Sequence, residues 1–350
     1  MKKIISGFFF RAMKAIELWI FVILLIFMTF MNTDADRMNR KAALKADYEL
    51  PFSIEETYKI YGYGGNHTHE LDKNIFEKID ALLENITYSS FISLIATPLF
   101  TLYFMGKMFS GGALRNLITC GHSKAEVYLA SLLFGAIITI SFDVLGILST
   151  SAGILIRGYK IPLLIPFLIT FLLYSLLLHL TFLTLSVSIL FISGRSMVSL
   201  IAVSGIVVVL FTGSAGVTMA SLLVPERRLE FQKIREYKDQ HPDSVIELNY
   251  SFDAKDFSDI YQFTIDGEPM DEDIYLGKPE HNHIKGPARK FLIATLYANP
   301  ACGAILGTLV VSHYKIWSYG LYPVFCLSNV AWIAVTGSAG YIVFRRKELN

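Results

Sequence analysis

Long apolar runs separated by short polar joints organise this chain. Six stretches read as membrane-spanning helices: Ile16–Met31, Ile86–Gly106, Val127–Ile156, Pro162–Ile192, Met197–Val224 and Ile316–Phe344. About 18 or more apolar residues with few charges make a helix long enough to cross a bilayer. The first run is short and the third and fourth are long, which calls for tilts or breaks that hydropathy does not fix. Ahead of the first run, Met1–Lys14 mixes Lys2, Lys3, Arg11 and Lys14 with Phe8, Phe9 and Phe10. That mixture predicts an interfacial helix over 1–14, its aromatics in the membrane interface. A cleaved signal peptide fits less well. Arg11, Lys14 and Glu17 interrupt its approach, and Asn32-Thr33-Asp34 offers no small-x-small cleavage site.

The fold class that follows is an all-α polytopic membrane protein with two sizeable external segments, 32–85 and 225–286. In the first, Ile75, Ile79, Leu82 and Leu83 recur at helical spacing within Leu71–Leu83. The second opens as a charged helix, "PERRLEFQKIREYKDQH". Short alternating runs at Val245–Leu248 and Tyr261–Ile265 then predict strands. Together the two segments predict a small α+β cap. Residues 287–314 are apolar but broken by Asn299-Pro300 and Gly303. A seventh span there would carry the tail across the membrane, so the stretch reads as a re-entrant hairpin before the last span. Non-helical backbone at that depth must be shielded by protein or cavity water.

Composition agrees: 53% of the 350 residues are hydrophobic and 17% charged, against roughly 25% charged in soluble domains. Charge also sets orientation, because short cytoplasmic joints are enriched in Lys and Arg. With the N-terminus inside, the short joints and termini hold Lys2, Lys3, Arg11, Lys14, Lys107, Arg115, Lys124, Arg195, Arg345, Arg346 and Lys347. Only Glu17, Glu126 and Glu348 oppose them. The segments Asn32–Asn85 and Pro225–Lys290 take 26 of the 30 acids. The expected location is the cell membrane, multi-pass, with both termini cytoplasmic and residues 345–350 as a basic cytoplasmic tail.

The loop over 107–126 carries the most specific signal. Gly111-Gly112 breaks the chain after the second span, Ala113–Thr119 can form a short helix, and Gly121 stops it. Ser123, with Glu126 three residues later, matches a capping box opening the third span. In "GALRNLITCGHSKAEVYLASLL", Leu114, Arg115, Asn116, Gly121, His122, Ser123 and Tyr128 resemble the first cytoplasmic loop of bacterial ABC-2 type transporter permeases, especially those of peptide-antibiotic export and immunity systems. Leu117 stands where that pattern commonly has Lys, and Lys124 where it has Arg. The resemblance implies a coupling helix that docks on a separate nucleotide-binding ATPase, a second permease copy or sister permease, and export of a peptide, antibiotic or lipid. ATP and magnesium would then be bound by the partner; no cofactor is expected on this chain and no nucleic-acid partner. On this reading Leu114, Leu117 and Ile118 supply apolar anchorage, while Arg115, His122 and Lys124 pair with carboxylates. Leu114 or Leu117 to Asp should uncouple the complex more than Lys124→Ala.

Catalytic signals are absent from the sequence: no G-x-x-x-x-G-K-[ST], no H-E-x-x-H and no G-x-S-x-G. The chain is therefore read as a non-enzyme. Asp143 lies within the third span, and intramembrane carboxylates are costly and commonly mark pathways. It is either a residue of the translocation route or ion site, or a structural group, protonated or hydrogen-bonded to a neighbouring helix through groups such as Ser141 or His179. A proton-driven secondary transporter using Asp143 and a membrane sensor of external peptides are the alternatives to the exporter. Asp271, Glu272, Asp273, His281 and His283 could ligate a metal but show neither zinc nor EF-hand spacing. Asn66 and Asn85 match the N-glycosylation pattern, which has no meaning in a bacterial chain. Cys120, Cys302 and Cys326 imply no disulfide framework.

Overall fold

A computed structural model describes residues 1–46, 73–156, 165–219, 231–244, 246–253, 258–271, 274, 286–303 and 322–347. Its elements in chain order are α1 (Lys2–Lys14), α2 (Ile16–Ala46), α3 (Lys73–Ser110), α4 (Ala113–Thr119), α5 (Lys124–Ile156), α6 (Ile165–Ser193) and α7 (Ser196–Met219). They continue with α8 (Phe231–Gln240), β1 (Ile246–Asp253), β2 (Ser258–Ile265), β3 (Glu268–Pro269), α9 (Gly286–Ala298) and α10 (Tyr322–Arg346). Among the described residues five helices are long and apolar enough to cross a membrane. The number rises to six if α1 and α2, bent by 71° at Ala15, count together as one span. The chain is thus a helical membrane protein.

Residue chemistry explains the layout. In α1 the buried residues Ile4, Phe8 and Ala12 recur every four positions, the spacing that puts side chains on one helix face. Phe8 and Phe9 both meet Phe134 of α5 edge-on. These two aromatics, expected in the lipid interface, are therefore turned into the protein; Phe10 alone faces outward, with the Lys14 ammonium over its ring. Helix α6 is apolar on all sides, as a central helix must be. It packs against α3, α5, α7 and α10, and 72% of its spanning window is buried, against 11% for α7 and 17% for α10.

Small residues set how closely the helices approach. Gly135 lies against Leu183, and Gly340 against Tyr128 and Ser188, with no room for a Cβ at either. "TGSAG" occurs at Thr212–Gly216 and again at Thr336–Gly340. The second copy makes such a contact, whereas Gly213 in the first has open space around it.

Beyond the spans, α2 and α3 continue as helices of 31 and 38 residues, roughly 46 and 57 Å at 1.5 Å per residue. The amphipathic pattern expected over Leu71–Leu83 is, from Lys73 onward, an unbroken extension of α3. The described sheet is antiparallel in the order β1-β2-β3, with Ile246 opposite Ile265 and Asp253 opposite Ser258. Asp266 and Gly267 both take positive φ between β2 and β3, the Asp-Gly chemistry of a two-residue hairpin. All three strands come from the second external segment. The expected cap drawing on both segments is thus narrower among the described residues: 32–46 and 73–85 only prolong α2 and α3.

Candidate functional site

One end of the bundle gathers the starts of α2, α5 and α7 and the ends of α3, α6 and α10. Lys107 at the end of α3 pairs with Glu17 at the start of α2. Ser196 at the start of α7 closes against Gly106. The Lys124 ammonium donates to the carbonyls of Arg345 (3.1 Å) and Lys347 (2.6 Å), and that of Lys347 donates to the Ile192 carbonyl (3.0 Å). Cations near a helix C-terminus satisfy its last carbonyls and its dipole. The joints assigned to a single side by charge are therefore neighbours in space.

At this end sits the α3–α4–α5 corner. Gly112 (φ 69°) begins α4 and Gly121 (φ 93°) ends it. The Gly121 N–H donates to the Ile118 carbonyl (3.0 Å) and the His122 N–H to that of Leu117 (3.2 Å), the paired bonds of a Schellman motif. The next helix starts at once. The Glu126 N–H donates to Ser123 Oγ and the Ser123 N–H to Glu126 Oε2, each at 3.1 Å, so the capping box is complete. His122 Nδ1 lies 3.5 Å from the same carboxylate.

These bonds sort the expected coupling residues. Arg115, Asn116, Gly121 and Ser123 are exposed, together with Thr119 and Cys120; Leu117, Ile118, His122 and Lys124 are half-buried. Leu114, expected among the apolar anchors for a partner, is 2% exposed and belongs to the bundle core. It fastens α4 to α3 and α5, so of the three expected apolar anchors only Leu117 and Ile118 keep any exposed surface. Lys124, expected to pair with a partner's carboxylates, instead donates to the carbonyls at the end of α10.

The second group lies deeper. Asp143 is 19 residues along α5 from Lys124, His179 is 14 before the end of α6, and Ser90 is 20 before the end of α3. Those offsets put all three roughly 20–30 Å from the α4 end, within the reach of a bilayer's hydrocarbon core. His179, 1% exposed, has Nδ1 2.7 Å from Asp143 Oδ1. Its Nε2 is 3.3 Å from Ser90 Oγ, and Ser90 bonds in turn to Ser175. Ser141, the other expected partner, instead returns its hydroxyl to the Ile137 carbonyl at 2.8 Å. Asp143 Oδ2 is buried with no partner among the described residues.

A third group closes the break after α9. The Ser328 hydroxyl and the Trp332 indole N–H both donate to the Ala298 carbonyl (2.9 and 2.8 Å). Tyr174 and Asn329 donate to the Pro300 carbonyl (3.2 and 3.3 Å). The Asn299 amide donates to the Leu210 carbonyl at 2.8 Å and its oxygen accepts from the Ala301 N–H at 3.0 Å. Protein groups thus satisfy the broken backbone; the return leg of the expected hairpin, 304–321, lies outside the described residues. Sequence reasoning named none of these caps, although Asn329 inside an apolar run was a readable signal.

Glu272, Asp273, His281, His283 and Asn66 also lie outside the described residues. Among the described residues no three His, Cys, Asp or Glu side chains gather as a metal site, and the three cysteines are free. No family model, curated protein or solved structure matches the chain.

Proposed function

We propose that this chain is the membrane subunit of an ATP-driven exporter of the ABC-2 type, crossing the cell membrane six times with both termini inside. The observation that supports it best is the α3–α4–α5 corner. There a short helix, closed at its end by the paired Gly121 and His122 backbone bonds and nailed down by Leu114, offers Arg115, Asn116 and Thr119 outward. A separate ATPase that docks on this face moves a stiff lever joined directly to two spans. Nucleotide-driven closure of two ATPase subunits then shifts α3 and α5 between alternative packings, as rigid elements do when an effector biases a bistable interface. A second permease copy or a sister permease completes the pathway. Hydrolysis belongs to the partner, and the cargo is an amphipathic substrate such as a peptide, antibiotic or lipid.

Affinity purification from native membranes tests the reading. A Walker-containing ATPase should co-purify and turn over faster with the chain present, and Arg115→Glu should weaken that association about tenfold. Transport that persists without any such ATPase would end it. The buried Asp143–His179 pair favours a second reading, a secondary transporter driven by an ion gradient. That reading predicts transport abolished by dissipating the gradient and indifferent to ATP.

A further inference from the structure

We infer that the Asp143 cluster is a binding site for a primary ammonium group carried on a short apolar stem. With Asp143 ionised and the imidazole neutral, the hydrogen-bond string runs in one direction. Ser175 donates to Ser90, Ser90 donates to His179 Nε2, and His179 Nδ1–H donates to Asp143 Oδ1. A neutral imidazole has one donor and one acceptor, so both ring nitrogens are then used within the string. Its second oxygen, Oδ2, has no donor among the described residues. Within the described apolar windows of α3, α5 and α6, the ionisable side chains besides Asp143 and His179 are Tyr103, Lys107, Tyr174 and the residues of the α4 end. An ionised carboxylate at that depth needs a cation or a further donor.

The space for one is present. Asp143 lines a half-open cavity of about 140 Å³ together with Ser90, Ser93 and Ser175, and its remaining wall is apolar, including Val144 and Leu176. A cavity near 150 Å³ holds about one benzene-sized group, which is the size of an aminohexyl or lysine-like end. The ammonium meets the serine hydroxyls and the part of Asp143 that lines the cavity, Oδ2 itself being covered, and the stem lies on the apolar wall towards the outward-facing Ile140 and Val144. The order Asp143–His179–Ser90 also matches an acyl-transfer triad. However, Ser90 lies inside the continuous helix α3, where backbone N–H groups are already bonded and cannot serve as oxyanion donors. Binding is what the geometry favours.

The inference goes beyond the exporter reading and needs no ATPase, so either can fail alone. The test is equilibrium dialysis of radiolabelled hexylamine against the purified chain in detergent, with empty micelles as the blank. One site per chain is expected. Hexan-1-ol should fail to compete, hexyltrimethylammonium, which has the charge but no N–H, should compete at least tenfold more weakly than hexylamine, and Asp143→Asn should weaken binding at least tenfold. Equal competition by hexan-1-ol, measured on the natural chain and so independent of any folding defect, overturns the inference; so does unchanged binding by a folded Asp143→Asn variant. A hydrophobic peptide with one lysine, set against its norleucine counterpart, identifies the source. Competition by the lysine form assigns the site to peptides, and competition by hexylamine alone assigns it to free amines.

Discussion

The α3–α4–α5 corner and the Asp143 cluster are both polar interruptions of an apolar chain, but their polar groups are used in opposite ways. At the corner the turning backbone is tied off within a dozen residues: Gly121 and His122 close α4, and Ser123 and Glu126 open α5. In the cluster, groups from three helices meet and still leave Asp143 Oδ2 unanswered. A fully satisfied corner holds one geometry and can transmit a push. An unsatisfied buried carboxylate is held in reserve for something that arrives.

Substitutions can break or sharpen this contrast. The largest effect is expected for His179→Leu, which strands the Asp143 carboxylate without its donor; about 3–5 kcal/mol of stability should be lost. Replacing Asp143 by Leu as well should recover much of it, measured as the thermal midpoint in detergent. Next comes Leu114→Ala, which opens a void under α4 at about 2–5 kcal/mol and should expose the bond after Arg115 to trypsin. Gly121→Ala forces a Cβ into left-handed backbone and should cost about 1–2 kcal/mol, followed by Ser123→Ala, with one cap bond gone, at about 1 kcal/mol. Both should slacken the corner and lower ATPase stimulation more than their stability cost alone implies. Arg115→Ala should change stability by no more than about 0.5 kcal/mol while still weakening ATPase association. If Arg115→Ala unfolds the chain, or Gly121→Ala leaves stimulation intact, the stiff-lever contrast fails.

The same contrast decides what could be read from residues alone. The corner was legible because its grammar is local: glycines where φ turns positive, then Ser and Glu three apart. The apolar runs and the charge of their joints were legible for the same reason. What Leu114 does was not, since a leucine on a short amphipathic helix can face a partner or its own bundle equally well. Only the packing of α4 between α3 and α5 turns it inward. The Asp143–His179 pair was visible as a candidate because two ionisable groups stand out in apolar helices. Ser90 and Ser175 were not, being 85 residues apart and of a type common in such helices. In the sheet, both long strands followed from alternation. The short β3 depends on the Asp266-Gly267 turn, whose two-residue signature was in the chain but carried too little flanking apolar pattern to stand out.

The capped break after α9 bears on how the protein is made. The carbonyls of Ala298 and Pro300 are answered by Ser328, Asn329 and Trp332, which leave the ribosome about thirty residues later. Until α10 packs beside it, the Ala298 carbonyl lacks both of its donors and that of Pro300 keeps only Tyr174, and a peptide group left bare is costly wherever hydrocarbon surrounds it. The settling of α9 into the bundle is therefore a late, post-insertion step, and a nascent chain halted before Tyr322 should be recognised by membrane quality control as unfinished.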